Sequence, residues 1–359
     1  PPGARSNPAC DGGVIAAGFQ NSHVHFAAQP FIGAPAQPAS TLEQALNGML
    51  TRFGVTTVVD TRSDISDTAA LRQRIEPGEV NGPTILTAGI PLYPQNGIPF
   101  YLRDLPPEIL RQLPQPANVQ EAIAVVERNF ALGANGTKLF VATPQGRGVI
   151  QRMSPEIAQA AASETHRRGG LVMAHPTDPA GARAAVLAGV DILVHTTIDS
   201  PVNTWSDALI GDLIARKVAV IPTLKLWGYE LDKAKVPAHV REAALNEARV
   251  QLAAFAAAGG QVLFGTDVGY MTDFDPTEEY VQMSRAGLTP MQILASLTTA
   301  PAARWRQENR RGRVSPGLDA DLVVLNADPA TDVSHFANVK CTFRRGREIF
   351  TPPSSTTRN

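Results

Sequence analysis

Cysteine is nearly missing from this chain of 359 residues, where only Cys10 and Cys341 occur, near opposite ends. Two thiols exclude a disulfide framework and a cysteine-based zinc site. They are read as free thiols, with a bond between them as the alternative. Basic blocks are missing as well. Lys and Arg number 32 against 33 Asp and Glu, a formal net charge of -1, so the chain lacks the positive surface that a phosphate backbone requires. Nucleic acid is therefore not an expected partner. No apolar run approaches the roughly 20 residues that span a bilayer, which argues against a membrane partner and for a soluble protein. No strand candidate runs into the Gly-rich turn of a dinucleotide site, and no internal repeat is present. Residues 1–8 read as irregular, without a signal-peptide pattern. The chain begins without Met, so a cytoplasmic location and export after loss of a leader both stay open.

What is present is an alternation of short β-branched runs with longer helix-patterned stretches, the pattern of a parallel sheet with crossover helices. Strands are expected over 14–19, 55–60, 84–88, 137–141, 171–175, 191–195, 218–224 and 261–267. Helices are expected over 41–52, 119–131, 154–168, 181–188, 205–216, 238–258 and 290–298. Eight such β/α units fit a (β/α)8 TIM barrel better than a doubly wound sheet. Residues 91–118 carry seven prolines with Tyr93, Tyr101 and Arg103. That composition cannot continue a helix, and the segment is either a lid over the barrel mouth or a surface insertion. Past Arg313 the pattern changes to short strands at 322–325, 339–344 and 348–350, a small β appendage. The division expected is 19–302 for the barrel, 1–18 and 303–350 for the appendage, and 351–359 for a polar, frayed tail.

The chemistry-bearing residues fall at strand ends. His23 and His25 stand two apart just past the first strand, so extended backbone points both imidazoles to one face. Lys138 lies on the fourth strand, His175 ends the fifth, His195 the sixth and Asp267 the eighth. In a (β/α)8 barrel the C-terminal strand ends surround one mouth, where these six side chains converge. One histidine at a strand end is usually a hydrogen-bonded structural residue. Four of the chain's seven at such positions reverse that reading. Lys138 is the only Lys before Lys217, and an uncompensated ammonium inside a barrel is strongly disfavoured. Its amine is either needed as such, carboxylated by carbon dioxide to bridge metals, or is a structural cation paired with Asp267 or reaching solvent.

The run Gly18-Phe19-Gln20-Asn21-Ser22-His23-Val24-His25 resembles the His-X-His signature of the amidohydrolase superfamily, and the later candidate ligands follow in that family's order. The stretch Gly312-Arg313-Val314-Ser315-Pro316-Gly317-Leu318-Asp319-Ala320-Asp321-Leu322-Val323-Val324-Leu325 is similar to the segment by which such enzymes re-enter a small β-sandwich. Within the superfamily the pattern is most similar to the imidazolonepropionase-related and metallo-dipeptidase-like branch with a binuclear site. The resemblance implies that His23, His25, Lys138 and Asp267 hold one divalent ion, and Lys138, His175 and His195 the other, with Lys138 carboxylated. Zn²⁺ suits such a shell, as do Mn²⁺, Fe²⁺ or Co²⁺. Only about 18 residues precede this motif, where the family has several sandwich strands. The appendage is thus truncated or reduced.

Two ions sharing a hydroxide would make a nucleophile at neutral pH, with Asp267 as ligand and proton shuttle. The expected reaction is hydrolysis of the C–N bond of a small amide, such as an N-acyl amino acid, a dipeptide or a cyclic amide. Ester, lactone or phosphotriester hydrolysis at the same site is the alternative. A mononuclear deaminase has no need of Lys138, and a scaffold barrel without catalysis has no need of six ligands. For the substrate, Lys225, Trp227 and Tyr229 follow the seventh strand, and Tyr270, Asp273 and Asp275 the eighth. Trp227 or Tyr270 would stack on an aromatic or extended amide, and Lys225 or Arg103 would hold a carboxylate. The alternative for the aromatics is packing of the loops. A homo-oligomer stays open.

Overall fold

The computed structural model describes residues 8–146, 148–198 and 204–352, so residues 353–359 of the expected tail lie outside the described residues. The fold is mixed α/β. Thirteen strands occur among the described residues: β1 (Val14–Ala17), β2 (Phe19–Val24), β3 (Val55–Asp60), β4 (Thr84–Thr87), β5 (Gly136–Phe140), β6 (Ala142–Gly146), β7 (Val149–Arg152), β8 (Leu171–His175), β9 (Ile192–Val194), β10 (Ala219–Ile221), β11 (Leu322–Leu325), β12 (Val339–Arg344) and β13 (Arg347–Phe350).

Two parallel ladders carry the centre, β2-β3-β4 and β10-β9-β8-β5. Their strands are buried along their length, as parallel strands covered by helices must be; β8, β9 and β10 are largely apolar, while β2, β3 and β5 bury polar side chains as well. Side-chain alternation splits them between two clusters. Met173, Val194, Ile221 and Leu263 gather inside with Val59 and Leu86. Val172, Leu193, Val220 and Phe264 face the helices instead, among them Ala158, Ala185 and Leu213. Isolated bridges continue the pairing beyond the ladders: Leu92 with Leu139, Val220 with Val262, and Val24 with Val268.

Where a single first strand is expected at 14–19, the chain makes two. β1 pairs antiparallel with β11 in the separate sheet β1-β11-β12-β13, and β2 begins at Phe19. Gly18 marks the change. Its N–H donates to the Asp321 carbonyl (2.8 Å), and a Cβ there would stand 2.3 Å from Thr56 Oγ1, a contact only glycine avoids. The eighth expected strand, 261–267, is also different. It forms no regular strand, being held by scattered bonds to β10 and β2 and turning at Asp267 with φ 64°.

The expected helices form with ends moved by a few residues. Helices Ile65–Ile75, Leu224–Lys233 and Thr277–Arg285 and the β6-β7 hairpin form where the sequence pattern marks no element, apart from Leu224, which falls at the end of the expected strand 218–224. Ile65–Ile75 starts where the Asp64 side chain accepts from the N–H groups of Ser66 and Asp67. No described helix is long and apolar enough to cross a membrane.

The free-thiol reading is corrected. Cys10 and Cys341 form a disulfide across a sequence separation of 331, tying the segment before β1 to β12. The pairing of β1 with β11, and of β11 with β12, brings the two ends of the chain together, which no local pattern in the sequence reports.

Candidate metal centre

The six strand-end residues line one cavity of about 250 Å³. All six are buried, with His23 1% and Lys138 2% exposed. Their placement follows from backbone pairing. The Asp267 N–H donates to the His23 carbonyl (2.9 Å) and the His25 N–H to the Val268 carbonyl (2.9 Å), so the irregular 261–268 segment is laid against β2. On its other side Leu263 N–H bonds the Val220 carbonyl (2.9 Å) of β10. The register of β5 with β8 puts Lys138 beside Met173 and Phe140 beside His175. Close backbone approach is built in at Gly269, where φ is 94° and a Cβ would sit 1.9 Å from the His25 carbonyl oxygen. His195 (φ 78°) and Asp267 (φ 64°) are themselves left-handed. Such conformations cost about 1–3 kcal/mol each in non-glycine residues, and here they turn two side chains into the cavity.

Asp267 is the hub. Its Oδ1 lies 2.6 Å from His25 Nε2 and 3.4 Å from His23 Nε2, and its Oδ2 lies 3.9 Å from His195 Nε2. His23, His195 and Asp267 each offer a ligand atom within 4.8 Å of the others. The His23 ring meets those of His25 and His195 edge to face at 5.0 Å, and His175 meets His195 at 4.8 Å. His195 Nδ1 pairs with the Thr223 hydroxyl (2.6 Å), which orients the ring. His175 stacks on Phe140 with centroids 4.8 Å apart. Lys138 Nζ lies 5.6 Å from the Phe140 ring centroid, and no carboxylate pairs with it among the described residues.

Burial sets the protonation of the group. It lowers His23 and His175 to about 3, with Lys138 pushing the same way, and His195 well below its ordinary value, so the imidazoles are neutral with lone pairs to offer. Burial pushes the Asp267 carboxyl up. The neighbouring His23 and His25 outweigh it and hold the group ionised, well below the usual range. Burial also brings Lys138 from 10.5 to about 7. Two buried ring nitrogens, His25 Nδ1 and His175 Nε2, have no hydrogen-bond partner among the described residues. Leaving such atoms unpaired is costly, and a cation between the rings would satisfy His175 Nε2. The donor set of imidazole nitrogens and a carboxylate oxygen therefore fits a borderline divalent ion.

The residues expected to meet substrate separate into two groups. Trp227 and Tyr270 line the cavity. Lys225, Tyr229 and Arg103 do not. The Lys225 ammonium is buried and turned away to the Asp273 and Asp275 carbonyls and the Asp273 carboxylate (3.0 Å). Arg103 is exposed and donates to Gln145, and Tyr229 packs against the core. The proline-rich segment 91–118 supplies Phe100 and Tyr101 to the cavity wall. Sequence reasoning passed over Arg62, Phe140, Leu226 and Glu230, which also line it. Arg62 stands two residues past β3, at the same kind of strand end that signals the other site residues.

Residues 14–349 match the amidohydrolase family. Ochratoxinase of Aspergillus niger is 25% identical over 261 residues, covering 66% of this chain and 52% of that protein, so the chain spans about half the length of the curated relatives it matches. The crystal structure of a Xaa-Pro dipeptidase with bound methionine superposes with a TM-score of 0.78 at 23% identity, covering 93% of this chain and 86% of the other. The A. niger ochratoxinase structure gives 0.77 at 20% identity over 94% of this chain and 84% of its own.

Proposed function

From the chain's membership of the amidohydrolase family we infer that it hydrolyses the C–N bond of a small amide at a binuclear metal site. The observation that carries this is the buried cluster of His23, His195 and Asp267, with the unpartnered His175 Nε2 facing the same cavity. His23, His25, Lys138 and Asp267 would hold one divalent ion, and Lys138, His175 and His195 the second, with Lys138 carboxylated and Zn²⁺ the metal of choice. The likeness to a Xaa-Pro dipeptidase supports an amide in a small molecule. The frame for the site is a (β/α)8 barrel over 19–302 with a β appendage from 1–18 and 303–350. Supporting the barrel, the bridges Leu92–Leu139, Val220–Val262 and Val24–Val268 lead from one parallel ladder to the other at both ends.

Bound divalent ions supply Lewis acidity to the substrate carbonyl and acidify water. The chain's own groups do the rest. Asp267 Oδ1 is held by His25, which leaves Oδ2 to accept the proton of the attacking water and return it to the departing nitrogen. Thr223 keeps the His195 ring in place. Phe140, Leu226 and Trp227 exclude bulk water and strengthen each charge interaction in the cavity. Elemental analysis of the purified protein, coupled to a panel of N-acyl amino acids, dipeptides, cyclic amides, esters, lactones and phosphotriesters, tests the reading. Close to two ions per chain, with amide turnover lost on chelation, is expected. Full activity of a metal-free preparation, or turnover confined to esters and phosphotriesters, overturns it.

A further inference from the structure

The tip of the β12-β13 hairpin carries three arginines, Arg344, Arg345 and Arg347, around Gly346. Arg345 (φ 51°) and Gly346 (φ 73°) make the two-residue turn, and the register sets Arg344 directly opposite Arg347. Like charges facing one another across a hairpin destabilise it, so the turn depends on what lies beside it. It packs on the segment that leads from helix Ile65–Ile75 into β4, where the three guanidiniums meet Glu76, Gly78 and Asn81 around a pocket of about 160 Å³. Arg344 Nε donates to the hydroxyl of Thr84, the first residue of β4 (2.9 Å). The pocket therefore lies at the N-terminal end of the parallel strands, away from the metal cavity at their C-terminal ends.

Glu76 is the one carboxylate lining the pocket. Its two oxygens are taken by Arg344 Nη2 and by Arg345 Nη1 (2.7 Å). Arg347 donates from Nη1 to the Gly78 carbonyl (2.9 Å) and makes no ion pair among the described residues. The acids around the turn are engaged elsewhere. Asp319 and Asp321 are matched by Arg310 and Arg311, with Asp319 no closer than 3.9 Å to Arg345 Nε, while Glu79 pairs with Arg74 and Glu43 accepts the Asn81 N–H. A clamp between hairpin and helix end needs Arg344 and Glu76 alone, and Arg344 is its buried member, with a side chain 7% exposed. Burial lowers that guanidinium from its ordinary value; Glu76 opposes the shift, and Arg345 and Arg311 add to it. Arg345 Nη2 and the Nε and Nη2 of Arg347 donate to no described residue. Paired, planar guanidinium donors match the oxygens of a phosphate, and two negative charges would balance three guanidiniums and one carboxylate. We propose that this pocket binds a phosphate-class dianion, either inorganic phosphate or the phosphate end of a small monoester, between Arg345 and Arg347. The bound anion ties the sheet β1-β11-β12-β13 to the entry of β4, and the proposal does not depend on what the chain hydrolyses.

The test is calorimetric titration of the metal-loaded protein with inorganic phosphate and, separately, with glycerol 1-phosphate, at constant ionic strength against a chloride blank. It is run at about pH 8, where both probes are chiefly dianionic, on wild type, Arg347→Met, Arg347→Lys and Arg345→Met, with metal content and circular dichroism recorded on each sample. Wild type should bind saturably. Arg347→Met should weaken binding about 10–100-fold, the worth of a charge-assisted hydrogen bond; Arg345→Met should weaken it as well, and Arg347→Lys should restore part of the loss. Binding of inorganic phosphate alone identifies the free ion as the ligand class, binding of glycerol 1-phosphate alone identifies the ester, and either supports the site. The urea midpoint should rise with the bound probe in wild type and not in Arg347→Met. Phosphate also has affinity for divalent ions, so binding of equal strength in wild type and Arg347→Met belongs to the metal cavity and overturns the proposal. Absence of binding of both probes beyond the chloride blank overturns it too. If Arg347→Met does not fold, Arg347→Lys and Arg345→Met decide: wild-type affinity in both refutes the site, and weakened binding supports it.

Discussion

Lys138 offers the sharpest test, because the residue that the proposed metal bridge requires is one the fold alone would be better without. Its ammonium is 2% exposed on β5, and burial brings it from 10.5 to about 7. In the metal-free, CO₂-free chain both folded and unfolded states are protonated below about pH 7, and the folded state carries the whole cost of the buried charge. Between pH 7 and 10.5 the unfolded chain keeps its proton while the folded chain has lost it, so stability rises with pH across that window. At 1.36 kcal/mol for each pH unit between the two values, the cost has a ceiling of about 5 kcal/mol. Lys138→Met keeps an unbranched side chain, one heavy atom shorter, and removes the charge. It should stabilise the metal-free protein by about 2–4 kcal/mol at pH 7, a gain that shrinks towards pH 10.5. The assay is urea unfolding at pH 7, 8.5 and 10 in degassed, chelator-treated buffer. The same variant should lose metal and turnover. If Lys138→Met unfolds at a lower urea concentration than wild type at pH 7, or if wild type shows no rise with pH that the variant lacks, the buried-charge argument is wrong. A fully active variant with both ions bound would remove the bridge.

Asp267→Asn should lower kcat by about 10²–10⁴-fold while KM moves much less, since the amide can still approach a metal through oxygen but cannot take a proton; a variant that holds both ions and turns over at the wild-type rate leaves Asp267 as a ligand only. Glu279 is buried, accepts the Lys225 N–H (2.7 Å), and is raised by burial to about 7. Between pH 4.5 and 7 the folded chain holds a proton that the unfolded chain has released, so stability falls as pH rises there by about 1–3 kcal/mol. Glu279→Gln should flatten that slope in denaturation measurements, and an unchanged slope refutes the assignment. The Cys10–Cys341 bond closes a loop across 331 residues, and Cys10→Ser should lower stability by about 2–5 kcal/mol. Equal Tm values for the oxidised wild type and the variant would show that β1 pairing already accounts for the constraint.

The sequence by itself determined the parts of this protein that depend on short-range patterning. Apolar β-branched runs marked β3, β4, β5, β8, β9 and β10, because a parallel strand covered on both faces has few other compositions open to it. The strand ends then located His23, His25, Lys138, His175, His195 and Asp267, and the structure brings these six into one cavity. The helix Leu224–Lys233 was hidden because it follows β10 after Pro222 and Thr223 alone, Thr223 turning at φ 46°, so the apolar run reads on as strand. Only the tertiary structure decided the rest. The break at Gly18 depends on Thr56 and Asp321, far away in sequence. The disulfide depends on β1 meeting β11, and the position of Asp267 on its own backbone bond to His23 and on that of its neighbour Val268 to His25. Which cations face the cavity followed the same rule. Lys225, Arg103 and Arg62 are alike as letters in loops, but Lys225 is bound by the 273–275 loop, Arg103 by Gln145, and Arg62 by no carboxylate among the described residues. A charge's availability is set by what the folded chain places beside it, and that is a property of long-range contacts.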